Sequence, residues 1–99
     1  MFELKDLEDH FGETMQIDGS TYTLEKHEDI SGTCAVWKNV SFLIYATPMF
    51  DGVAVPVQVM DLDNNEVGID GYHPEIDTYE SYCHIVKVLV EAIFRRARM

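Results

Sequence analysis

DTYESYCHIVKVLVEAIFRRARM, residues 77–99, decides the fold. Within it Glu80, His84, Lys87, Glu91, Arg95 and Arg98 recur three or four residues apart, so they fall along one line of a helix. Almost everything between them is apolar or small. A surface helix usually carries one apolar stripe on a polar cylinder; here the proportions are inverted, and the helix needs cover on more than one side. The spacing predicts a long C-terminal helix lying on one face of a sheet. Its second apolar flank, carried by Ile85, Val88, Leu89, Ala92 and Ile93, is then expected to pair with a second copy of the chain, giving a homodimer across a twofold axis.

Upstream of that helix the period is two. Met15 and Ile17 alternate with polar neighbours, Asp18-Gly19 follows, and Tyr22 and Leu24 alternate with threonines. Asp-Gly between alternating runs is a strong hairpin signal. Residues 27–32 read as a polar connector. From Thr33 to Thr47 the chain is rich in β-branched and aromatic residues, with Cys34, Val36, Val40, Phe42, Ile44 and Ala46 sharing one parity. Lys38-Asn39 breaks the run as either a turn or a bulge. Val53, Val55, Val57 and Val59 line one face of a further strand, whose Pro56 lacks a ladder donor and so points to an edge or a bulge. Asp63-Asn64-Asn65 turns the chain into a short returning strand, Glu66 to Ile69. At the other end, Phe2 to Phe11 places Leu4, Leu7 and Phe11 on one helical face, closed by Gly12. Asp77 with Glu80 three residues on resembles a capping box. The expected architecture is α+β: a short N-terminal helix, a four- to five-stranded mostly antiparallel sheet, and the long C-terminal helix packed on one face. Residues 1–99 form one domain, with no internal repeat.

Eighteen acidic residues against seven cations give a formal charge of −11. Three of those cations, Arg95, Arg96 and Arg98, cluster at the end of the helix. Direct nucleic-acid binding therefore lacks an electrostatic basis over the rest of the chain, and a basic protein is the partner this charge favours. Cys34 and Cys83 lie in apolar surroundings and read as reduced thiols. No secretory-type h-region or membrane-length apolar run is present, so the expected setting is cytoplasmic, without membrane association.

Motifs for chemistry are sparse. Asp61 to Asn65 resembles the first half of a calcium loop, but Glu66 stands where that loop needs glycine and Tyr72 where it needs a bidentate glutamate. An Asp/Asn-rich hairpin turn accounts for the same residues. Cys83 and His84 are neighbours on a helix and diverge by about 100°. The four histidines show no ligand spacing, and no nucleophile elbow, phosphate loop or dinucleotide glycine run occurs, so neither metal nor cofactor is expected. Aromatic residues remain: Trp37, Tyr45, Tyr79 and Tyr82 could line a sheet–helix cleft for a hydrophobic or cationic ligand, through cation–π attraction within an acidic field. The leading expectation is a small acidic, non-enzymatic interaction protein that self-associates and binds a basic partner. A small-molecule binding module is the alternative, and an enzyme with a site scattered through the chain is a third.

Overall fold

Asp18 and Gly19 both have positive φ, 52° and 81°, which is the backbone of a two-residue hairpin turn whose twist matches the strands it joins. That turn links β1 (Thr14–Ile17) to β2 (Ser20–Asp29) and begins an uninterrupted meander. β3 (Gly32–Lys38), β4 (Phe42–Tyr45), β5 (Pro56–Asp61) and β6 (Glu66–Gly71) follow, each antiparallel to the one before. The computed structural model describes residues 4–29, 32–47, 56–71 and 76–98. The sheet thus has six strands in sequence order, not four or five.

The extra strand comes from a turn at Asn39–Ser41, which follows Lys38, the last residue of β3. The Asn39 side-chain oxygen accepts from the backbone N–H groups of Ser41 (2.8 Å) and Phe42 (2.7 Å), and its own N–H donates to the Phe42 carbonyl at 3.1 Å. Side-chain hydrogen bonding of this kind is what lets asparagine replace a ladder with a tight turn. The turn also resets the parity. Ala35 and Trp37 face the helix together with Phe42, Ile44 and Ala46, so Cys34 and Val36 belong to the opposite face, contrary to the single-strand reading. β5 is an interior strand and not an edge, but Pro56 is its first residue, a position at which a missing ladder donor is tolerated. The irregularity in this strand lies between Val59 and Met60. Val53 and Val55 lie outside the described residues.

The N-terminal segment is a 3-10 turn, Leu4–His10, and not an α-helix. Seven residues are too few to offset the cost of helix nucleation in water, so tertiary anchoring sets its form. Leu7 is fully buried, and Gly12 donates its N–H to the Leu24 carbonyl at 2.8 Å, which draws the chain straight into the sheet. At Asp61 the expected hairpin is present. One carboxylate oxygen accepts from Asp63 and Asn65 N–H groups, both at 2.9 Å, and these bonds hold the acid below its ordinary range.

The C-terminal helix, α1, runs Tyr79–Ala97. Its cap is Thr78 with Ser81, one residue after the expected Asp77 and Glu80. The Thr78 hydroxyl accepts from Ser81 N–H (3.1 Å) while Ser81 Oγ accepts from Thr78 N–H (3.1 Å). One row across the sheet faces this helix: Leu24, Trp37, Ile44, Val59 and Gly68 are successive partners from β2 to β6. Gly68 lets the helix come down close, because a Cβ there would stand 2.6 Å from Ile93 Cγ2. The helix touches β5 and β6 and also β1 at the opposite end of the meander. The sheet must therefore curl around it, as strand twist permits. That curvature buries Tyr82, Val86, Leu89, Val90, Ile93 and Phe94 within one chain.

Candidate functional site

Of the aromatic residues singled out in the sequence, the structure brings Trp37, Tyr79 and Tyr82 together and leaves Tyr45 apart from them. Trp37 is 0% exposed and Tyr82 is 2% exposed, both inside the core under α1. Trp37 Nε1 donates to the Tyr82 hydroxyl at 3.2 Å, and that hydroxyl in turn donates to the Ala46 carbonyl. Their polar atoms are thereby satisfied internally, as buried Trp and Tyr require. Tyr79 is half-buried beside Tyr82, with ring centroids 6.4 Å apart. Tyr45 pairs with Val36 and Gln58 on the other face of the sheet. The five expected interface residues also separate. Leu89 and Ile93 are buried in the monomer's own core, Ile85 and Ala92 are half-buried, and Val88 is 44% exposed.

Two further clusters stand out among the described residues. The first joins the start of α1 to the end of the 3-10 segment and the residue just before β1. The His10 ring stacks on Tyr79 at 3.7 Å and 3° between planes, and its Nδ1 donates to Glu13 Oε1 at 3.2 Å, which implies the Nδ1–H form. Burial, and then the hydrogen bonds and charges of Cys83 and Glu13, push the Tyr79 phenol far up. Burial likewise pushes the Cys83 thiol up, opposed by a hydrogen bond with Tyr79 and assisted by the Glu13 charge. A cysteine nucleophile needs the reverse, a thiolate favoured by cationic neighbours. The cluster ties elements together but supplies no activated nucleophile. Among the described residues, no group of three or more His, Cys, Asp or Glu is arranged to hold a metal ion.

The second cluster is a cleft of about 340 Å³ at the far end of α1, lined by Asp18, Ser20, Tyr22, Phe42, Val67, Phe94, Ala97 and Arg98. Its position follows from the topology. The β1–β2 turn delivers Asp18, β4 begins at Phe42, β6 brings Val67, and the last turn of α1 closes one side. Phe42 and Phe94 meet edge to face with centroids 5.0 Å apart. Tyr22 lies beneath, its phenol pushed up by burial, pulled down by a hydrogen bond with Asn39 and raised again by the Asp18 charge. Asp18 and Arg98 form an ion pair at the rim. Nearby, Arg96 pairs with Asp70 at 3.0 Å, so carboxylates partner two arginines of the helix end. The cleft combines an apolar aromatic wall with an exposed acid, which suits the stem and head of a cationic side chain. Sequence reading missed it because its members come from four separate elements. The clue in the sequence is Asp18, although its Asp-Gly setting reads as a turn.

No family model, curated protein or solved structure matches this chain. Among the described residues, no helix is long and apolar enough to cross a membrane.

Proposed function

We propose that the protein is a non-enzymatic binding protein for a basic polypeptide, and that a cationic side chain of that partner seats in the cleft between Asp18 and the Phe42–Phe94 wall. The observation that carries this reading is the juxtaposition of the Asp18 carboxylate with an aromatic wall in a chain of net charge −11. The apolar wall packs the stem of a cationic side chain, the carboxylate supplies a directional partner for its head, and the surrounding field raises the encounter rate of basic partners. At about 340 Å³ the cleft is at the lower end of ligand-site volumes, room enough for one or two side chains.

Pairing of α1 with a second copy has less to support it. A specific interface buries on the order of 1,200–2,000 Å² in total around a well-packed apolar centre. With Leu89 and Ile93 inside the monomer, the flank offers Val88 between half-buried Ile85 and Ala92, bordered by the exposed His84, Lys87 and Arg95. Trp37, lying at 0% exposure within the core, lends no support to a ligand cavity beside it.

Calorimetry with a capped tri-arginine peptide at low salt tests the reading. Binding should weaken several-fold in Asp18→Asn but little in Asp63→Asn, which removes the same charge from the β5–β6 turn. Equal weakening in the two variants would mean that only the general field attracts the peptide, and the cleft assignment would fall.

A further inference from the structure

We infer that Arg98 is an internal competitor at the mouth of this cleft, holding against Asp18 the place that a partner's guanidinium takes when it binds. The inference rests on the cationic-partner reading above and adds the chemical group recognised and a contact that opposes binding. Arg98 and Asp18 are 80 residues apart in sequence, yet their side chains meet at the mouth of the cleft, and both line it. Guanidinium and carboxylate form the most directional of the ion pairs available to side chains, so the geometry that holds Arg98 also selects its guest.

The contact is built to exchange. Arg98 is the C-cap of α1, one residue beyond the last helical position, and its backbone N–H is already held by the Phe94 and Arg95 carbonyls at 3.2 Å and 3.3 Å. Its side chain can therefore swing away without unwinding the helix. That side chain is 65% exposed, and the Asp18 side chain 33%. Exposed pairs of this kind are weak, so a guest would meet a penalty of only about two- to five-fold in affinity. Arg95 sits on the same helical end and offers a charge-matched control. Arg96, by contrast, is engaged with Asp70 and does not line the cleft.

The test compares Arg98→Gln with Arg95→Gln, each titrated by calorimetry with the capped tri-arginine peptide and with its citrulline counterpart, which keeps the shape and loses the charge. Circular dichroism confirms that both variants remain folded. Arg98→Gln should bind tri-arginine about two- to five-fold more tightly than Arg95→Gln, with no gain for the citrulline peptide. If the two variants bind tri-arginine equally, and Asp18→Asn still weakens binding, the cleft stands and the competition by Arg98 is refuted. If neither variant binds, or Asp18→Asn changes nothing, the cationic-partner reading itself is refuted and the inference goes with it.

Discussion

Replacing Gly68 with alanine tests the close approach of α1 to the sheet. The new Cβ would lie 2.6 Å from Ile93 Cγ2, 3.6 Å from its Cβ and 3.7 Å from its Cγ1. Cγ2 is not the loose end of a flexible chain; it branches from Cβ, and χ1 of a helical isoleucine is nearly fixed. Relief must come from moving α1 or β6. Overpacking of this sort costs about 1–3 kcal/mol. Alanine recovers roughly 0.5–1 kcal/mol of backbone entropy relative to glycine, so the net loss should be about 1–2 kcal/mol. For a chain of this size that is a drop of roughly 5–15 °C in Tm. Urea unfolding followed by Trp37 fluorescence measures it directly. The decisive comparison is made in an Ile93→Ala background, which itself costs about 2–5 kcal/mol by leaving a cavity. There Gly68→Ala should be neutral or stabilising, because the methyl it strikes is gone. Equal loss in both backgrounds would show that Gly68 serves the strand's own conformation and not the helix contact.

Three further outcomes follow from the same structure. Thr78→Ala should lower stability by about 1 kcal/mol through loss of the reciprocal Thr78–Ser81 bonds, read by thermal melting; no change would mean that the helix start is held by its tertiary contacts alone. The Tyr79 and Tyr82 phenols and the Cys83 thiol are all raised above their ordinary values of 10.0, 10.0 and 9.0. The unfolded chain therefore releases these protons first as pH rises, so the associated stability is fully present below the thiol's ordinary 9.0 and is lost as pH climbs toward the raised folded-state values; urea midpoints should fall steadily from about pH 9 upward. Light scattering should give a particle of 11.4 kDa, the single chain, since α1 is sheltered largely by its own sheet; twice that mass at moderate concentration would restore the Ile85, Val88 and Ala92 flank as an interface.

What the sequence made legible was local. The C-terminal helix (Tyr79–Ala97), the Asp18-Gly19 hairpin and the Asp61 turn each depend on neighbours within one or two turns of chain, and each is present. The split at Asn39 was ambiguous because a run of β-branched and aromatic residues looks the same whether it is one long strand or two short ones; only the side-chain bonds of Asn39 distinguish them. The N-terminal segment kept its buried Leu7 but not its helical form, since a segment that short takes the conformation its contacts demand. Curling of the sheet was not legible at all. Twist accumulates over six strands, and it is what lets the sheet bury much of the apolar circumference of α1 within the chain. The cleft was hidden for a related reason: Asp18, Phe42 and Arg98 meet only after the meander has brought the first hairpin round to the end of the last helix.

An amide chemical-shift map of the labelled protein, titrated with the capped tri-arginine peptide, tests the central claim most directly. Shifts should concentrate at Asp18, Ser20, Phe42, Val67 and Ala97, with Arg98 moving as its side chain gives up Asp18. Shifts spread evenly over the exposed acids Asp6, Glu8, Asp63 and Glu80, with the cleft silent, would contradict it.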